Sequence, residues 1–349
     1  MRSKVQRVWN LLEKGKLFLR EGDVDSAISA FTDVIDIDPQ NAEAYYLRGT
    51  AYKDKGDFVA AIIDCTEAIR RDPKYADAYE MRAFAHEDMG DLDKAIADYT
   101  AAINIGGHAM YYYFRGCAYE RKGDLDRAMN DFTEAIRIWP ECGPAYDMRA
   151  LIYERKGDFD RAIADLTETI RIDPMDSPNY WRRGFLYREN GEFDKAIADA
   201  TEVIRLNPGY DMAYCLRGVA QKDQSNFEKA IADFTEAIRL NPKLVEGYYN
   251  RGRRYEETGD LDKAIADYSE AIRLDPRSTA MYGTRGHAFA KVGKVDEAIA
   301  DYTEAIRLNP KLAKAYYARG RAYEKKGEKS KADEDFAQAE KLGHKGRKR

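Results

Sequence analysis

Prolines recur along this chain at a fixed interval. Pro39 and Pro73 are 34 residues apart, and Pro140, Pro174, Pro208, Pro242, Pro276 and Pro310 then follow 34 apart each. One beat is missing near Gly106-Gly107, and there the count slips: Arg82 to Arg115 spans 33 residues, while Arg48 to Arg82 and Arg115 to Arg149 each span 34. The phrase Lys-Ala-Ile-Ala-Asp stands at 94–98, 195–199, 229–233 and 263–267, with close variants at 127–131, 161–165 and 297–301. A period in the range of roughly 20–50 residues confines a chain to solenoids, propellers or arrays, each built by stacking one small unit on copies of itself.

The content of one unit decides among these. In 245–278, Tyr248, Gly252 and Tyr255 recur at helical spacing, and Gly259-Asp260 interrupts the pattern. Ala264, Ile265, Tyr268, Ala271 and Ile272 then form a second stripe at i, i+3, i+4, the mark of an amphipathic helix. Asp275-Pro276 closes it, since proline cannot continue a helix and restricts the residue before it. Two such short helices bury their apolar stripes only against neighbouring units. The reading is all-α: a right-handed α-solenoid, or superhelix, of helix-turn-helix repeats. The units fall at about 8–41, 42–75, 76–108, 109–142, 143–176, 177–210, 211–244, 245–278, 279–312 and 313–343. They make one solenoid over 1–343, followed by a basic tail over 344–349.

This phrasing resembles the tetratricopeptide repeat (TPR) family. The fourth position of the units holds Tyr45, Tyr79, Tyr112, Tyr146, Tyr180, Tyr214, Tyr248, Tyr282 and Tyr316. The eighth is Gly or Ala throughout, from Gly49 to Gly320; the twentieth is Ala, from Ala61 to Ala332; and Phe31, Tyr99, Phe132, Phe234, Tyr268, Tyr302 and Phe336 stand at the twenty-fourth. The match covers about 8–343. It slips at Leu11, at His86, at Gly107 in place of the closing proline, and at Gln221 and Ser225. The resemblance implies a non-catalytic scaffold that binds a protein or peptide on its concave side.

The units can be compared with one another. A position fixed in every unit serves the stack, and a position that changes is free for a ligand. Nine arginines, Arg48 to Arg319, repeat at the seventh position, and nine aspartates, Asp64 to Asp335, repeat on the second helix. Their matched number points to an Arg–Asp ladder rather than a basic track for nucleic acid. An exposed pair of this kind contributes about 0–1 kcal/mol.

The TPR resemblance implies that the second, fifth, ninth, twelfth and thirteenth residues of each first helix line the groove. The fifth and ninth vary from unit to unit. From them come the candidate peptide-binding residues Tyr46, Glu80, Phe84, Tyr113, Leu151, Trp181, Phe185, Tyr249, Arg253, His287, Tyr317 and Arg321. They read as zones: acidic early, with Glu43, Asp77 and Glu80; apolar and aromatic around Trp181 and Phe185; basic with tyrosines late, where Lys314 joins Arg253 and Arg321. A peptide with apolar groups in the middle and acidic groups toward the C-terminal units suits that order. The carboxylate clamp of chaperone-binding TPR proteins is not reproduced. Asn250 stands where its middle Asn belongs, but Cys215, Val219, Ala280 and Thr284 flank it, so acidic chaperone tails are not expected.

Other classes find little support. Net charge is −5, which offers no basic field for nucleic acid. Cys65, Cys117, Cys142 and Cys215 fit no disulfide framework or CxxC pair, and no apolar run suits a membrane span. The N-terminal stretch 1–20 lacks the apolar core of a signal peptide, and the expected location is cytoplasmic. No P-loop, dinucleotide or HExxH motif occurs, His86, His108, His287 and His344 are scattered, and neither enzyme activity nor a cofactor is expected. Homo-oligomeric self-assembly is the second functional reading and RNA binding the third.

Overall fold

The computed structural model describes residues 2–223 and 226–344. Ser225 and the tail over 345–349, singled out above, lie outside them. Every secondary-structure element among the described residues is a helix. The chain divides into two compact units, 1–173 and 174–349.

The first unit holds α1 (Arg2–Glu21), α2 (Val24–Ile37), α3 (Ala42–Asp54), α4 (Phe58–Arg71), α5 (Ala76–Asp88), α6 (Leu92–Gly106), α7 (Ala109–Arg121), α8 (Leu125–Ile138), α9 (Gly143–Lys156) and α10 (Phe159–Ile172). The second holds α11 (Ser177–Glu189), α12 (Phe193–Leu206), α13 (Asp211–Asp223), α14 (Phe227–Leu240), α15 (Val245–Glu257), α16 (Leu261–Leu274), α17 (Thr279–Lys291), α18 (Val295–Leu308), α19 (Ala313–Lys326) and α20 (Lys329–Lys341). Odd helices are the first of each repeat and even helices the second. The first helix, α1, starts several residues before position 8.

The turn within a repeat follows from its sequence. Around Asp57, the Asp57 N–H donates to the Tyr52 carbonyl at 2.9 Å, closing α3 across Gly56 at φ +83°. The Asp57 carboxylate then accepts from the Ala60 N–H at 3.0 Å and caps α4. The short repeat resolves at Gly107, whose φ of +59° ends α6 in the left-handed region without a proline. That conformation suits glycine, and it replaces a longer proline turn with a tighter one.

Bulky residues at the twenty-fourth position form the core. Phe31, Tyr99, Phe132, Phe234 and Tyr268 are fully enclosed. Each ring lies against the small residue at the eighth position of its repeat. A Cβ placed on Gly116 would stand 2.7 Å from Phe132 Cε1, and one on Gly252 would stand 2.9 Å from Tyr268 Cε1. The small residue is required because the ring occupies the space a side chain would need.

The Arg–Asp ladder is built differently from the sequence expectation. Arg149 forks onto Asp165 of its own repeat, with Nε to Oδ2 at 2.8 Å and Nη2 to Oδ1 at 2.7 Å. Its remaining Nη1 donates to Thr133 Oγ1 of the preceding second helix at 3.1 Å. The guanidinium also lies over the Tyr146 ring at 5.6 Å. The Arg–Asp fork joins α9 to α10, and the threonine ties α9 back to α8. Equivalent three-way rungs run through Arg48, Arg82 and Arg115 in the first unit, and through Arg217, Arg251, Arg285 and Arg319 in the second. The nine aspartates are only 3–6% exposed. The 0–1 kcal/mol of an exposed pair therefore understates the rung: these carboxylates are desolvated and satisfied by a planar fork.

Within each unit, first helices of adjacent repeats approach one another: α1 and α3, α3 and α5, α7 and α9, then α11 and α13, α13 and α15, α17 and α19. Among the described residues no two second helices do so to a comparable extent. Crowding on one side curves each unit toward its first helices, and their outward faces form its inner surface.

Candidate functional site

In the first unit the candidate residues divide between core and surface. Tyr46 is half-buried on α3 and packs on Tyr75 with ring centroids 5.0 Å apart. Phe84 is wedged between Tyr99 and Phe114, at 5.8 and 4.7 Å. Tyr113 lies 6.0 Å from the Phe132 ring, so both rings are committed largely to the scaffold. Leu151 is half-buried on α9. Glu80 is half-buried beside Asp77. Burial, reinforced by the Asp77 charge, pushes its carboxyl up to about 7. Asp77 itself accepts from Tyr111 Oη at 3.0 Å. Of the expected acidic zone, Glu43 is therefore paired with Lys16 at 2.8 Å, Asp77 is engaged by the scaffold, and Glu80 resists ionisation.

The second unit begins with an aromatic step on α11. Trp181 and Phe185 are one helical turn apart and stack at 5.9 Å with planes 19° apart. Trp181 is half-buried, and its Nε1 is enclosed without an acceptor among the described residues. Phe185 remains 38% exposed, with the Arg188 guanidinium 5.5 Å from its ring centre.

Farther along, α15, α17 and α19 enclose a cleft of about 720 Å³. Arg253 and Glu257 stand on one side, Lys314 on the other, and His287 and Lys291 between them. Tyr302, Leu312, Ala315 and Ala318 supply apolar wall. A second cleft, lined by Tyr317 and Arg321, shares His287, Tyr302 and Ala318 with the first. The structure thus brings four candidates together: Arg253, His287, Tyr317 and Arg321. Tyr249 lines neither cleft, its ring 6.1 Å from Tyr268. Arg253 reaches the Tyr249 hydroxyl and Glu257, the latter at 3.9 Å, and Arg321 reaches Glu324 at 3.1 Å.

One organising residue escaped the fifth and ninth positions. Glu256, at the twelfth, accepts from Lys291 Nζ at 2.8 Å and from Tyr268 Oη at 2.9 Å, and it meets His287 Nδ1 at 3.1 Å. Burial opposes its ionisation, but the Lys291, Tyr268 and His287 contacts outweigh burial and hold its carboxyl below the usual range. Reading the twelfth position beside the ninth would have exposed it. Thr133 and its equivalents were legible in the same way, because Thr or Ser stands two residues after each ladder aspartate from Asp64 to Asp301, although Thr32 follows Ala30 and Ala337 follows Asp335.

The tetratricopeptide repeat profile matches residues 12–76, 113–178, 147–211, 182–244 and 215–279. Related repeat profiles cover 65–97, 286–327 and 313–342. The chain belongs to the tetratricopeptide repeat family. TPR chains are in general scaffolds for protein interaction and generally non-catalytic. Among solved structures, the C-terminal part of a TPR repeat-containing protein from Cytophaga hutchinsonii matches with a TM-score of 0.60 at 19% identity, over 68% of this chain and 97% of that one. That likeness is one of fold. A TPR protein from Parabacteroides merdae matches at 25% identity and a TM-score of 0.48, over 68% and 94% of the two chains. YrrB, described as a TPR protein with an unusual peptide-binding site, matches at 24% identity and a TM-score of 0.48, over 52% and 95%. No curated protein sequence matches the chain. Among the described residues no cluster of three or more potential metal ligands occurs, and no helix is long and apolar enough to cross a membrane.

Proposed function

We propose that the inner, first-helix surface of the second unit binds a peptide segment of a partner protein. The observation that carries this reading is the Trp181–Phe185 step. The scaffold already has its own aromatics, tyrosines at the fourth position and rings at the twenty-fourth, and its own fixed cations in the rungs. Phe185 belongs to neither set and stays exposed, stacked on a tryptophan whose N–H lacks an acceptor among the described residues. Large rings with one polar handle are the residues that dominate protein interfaces. Arg253 and Arg321, exposed on the first-helix faces of α15 and α19, extend that surface with positive charge, and His287 is exposed between them on α17.

The test is capture of partners by the wild-type chain and by the double variant Trp181→Ala/Phe185→Ala. Loss of the same partners from the variant, with helix content unchanged, is the expected result. Identical capture by both places the binding surface elsewhere.

A further inference from the structure

The fifth position of the last three repeats reads Tyr249, Gly283, Tyr317. Both tyrosines lay their rings on the second helix of their own repeat, Tyr249 toward Tyr268 at 6.1 Å and Tyr317 toward Phe336 at 5.6 Å. At Gly283 the corresponding ring is missing. A Cβ placed there meets no atom within 4 Å, whereas at Gly252, Gly286 and Gly320 it comes within 3.0 Å of an aromatic ring. Those three glycines make room for the core. Gly283 opens to the cleft it lines, with Tyr302 and Ala318 among its apolar walls.

The charges at its mouth have a sign. Arg253 and Lys314 are exposed on opposite sides; Lys314 makes no ion pair among the described residues, and Arg253 reaches Glu257 only at 3.9 Å. Lys291 and His287 lie beside them, held by Glu256. The adjoining cleft adds Arg321 and Lys325 against Glu324. Five cations face three carboxylates, in a chain whose net charge is −5. An apolar hole rimmed by excess positive charge is complementary to an apolar group carried beside a negative one.

We propose that the Gly283 cleft is a specificity pocket for an aromatic side chain of a bound peptide that has a carboxylate residue next to it. The ligand ring takes the place that a tyrosine fills in the flanking repeats. The adjacent carboxylate sits between Arg253 and Lys314. This inference rests on the peptide-binding reading of the second unit but uses none of the residues of the Trp181–Phe185 step.

The experiment is calorimetric titration of the full chain with three capped synthetic hexapeptides, Gly-Ser-Phe-Asp-Ser-Gly, Gly-Ser-Ala-Asp-Ser-Gly and Gly-Ser-Phe-Lys-Ser-Gly. The Phe-Asp peptide is expected to bind at least tenfold more tightly than either of the others. Gly283→Phe, whose added ring enters open space, removes that binding, and Lys314→Ala weakens it at least threefold. Ile63→Ala, at a 62% exposed position on α4, leaves it within twofold. Equal binding of the three peptides, no binding of any, or unchanged binding by Gly283→Phe overturns the pocket. If Phe-Asp fails while partner capture still depends on Trp181 and Phe185, the pocket falls and the broader reading stands. If Phe-Asp binds through Gly283 while partner capture ignores Trp181 and Phe185, the pocket stands and the aromatic step falls.

Discussion

Replacing Arg149 with Met tests whether the polar rungs hold the stack together. Asp165 is 5% exposed and receives both arms of the Arg149 fork at 2.7–2.8 Å. Removing the arginine leaves a buried carboxylate without its cation, and breaking a buried pair in this way costs about 3–5 kcal/mol. The Arg149 side chain is itself 16% exposed, so water can enter part of the vacated space. The expected cost is therefore about 2–3 kcal/mol. Arg149→Lys keeps the charge but loses the fork and should cost about 1–2 kcal/mol. The double variant Arg149→Met/Asp165→Leu removes the stranded charge and should recover most of the loss. Thr133 tolerates this, because its hydroxyl also donates to the Met129 carbonyl at 2.8 Å. A solenoid need not unfold in one step, so the readout is the opening free energy of the α9 and α10 amides by native-state hydrogen exchange. A single-variant cost below about 1 kcal/mol, with the two substitutions additive, would show that the rung behaves as a solvated surface pair and refute the reasoning.

Further outcomes follow from burial and space. Gly283→Ala should stabilise α17 by about 0.5–1 kcal/mol, because alanine is the better helix former and its methyl meets nothing. Gly116→Ala should destabilise by about 1–3 kcal/mol by driving a methyl into Phe132; paired thermal melts that rank the two the other way would refute this use of space. Glu80 holds its proton to about pH 7 in the folded chain, against an ordinary value of 4.5. The folded state therefore binds more protons between those values, and stability of the first unit falls as pH rises from 4.5 to 7. Glu80→Gln should flatten that slope and add about 1 kcal/mol at pH 8, a value reduced for the water that reaches the group; an unchanged pH profile contradicts the assignment. Burial pushes the thiols of Cys65 and Cys215 up to about 12 and that of Cys117 to about 11. N-ethylmaleimide at pH 8 should then leave all three unlabelled in the folded chain over a time that labels the unfolded one, and rapid labelling would contradict their burial.

The helices were legible because each carries its own punctuation. Asp57 after Gly56 announces a turn and a cap, and Asp275-Pro276 announces an end. The slip at Gly106-Gly107 was visible as a missing residue, though not its resolution through a left-handed Gly107. The rungs were half legible. Counting acids against bases pairs Arg149 with Asp165, but counting carries no information on burial, and Thr133 belongs to a different repeat. The candidate site was harder, because the fifth and ninth positions face the inner surface and also abut the core. Periodicity does not distinguish Phe84, packed between Tyr99 and Phe114, from Phe185, left exposed. That difference depends on what the neighbouring repeat offers. Gly283 shows the same limit, since a glycine in a helix is silent in sequence until the space around it is known.

Hydroxyl-radical footprinting of the chain alone and in complex with a captured partner tests the central claim most directly. The inner surface of the second unit carries Phe185, Tyr317 and His287. Trp139, 45% exposed beyond the end of α8, and Ile63 on α4, 62% exposed, serve as references in the first unit. The account predicts that partner binding suppresses oxidation of Phe185 together with His287 or Tyr317 and leaves Trp139 and Ile63 unchanged. Protection of Trp139 or Ile63, with Phe185, His287 and Tyr317 oxidised as in the free chain, would contradict it.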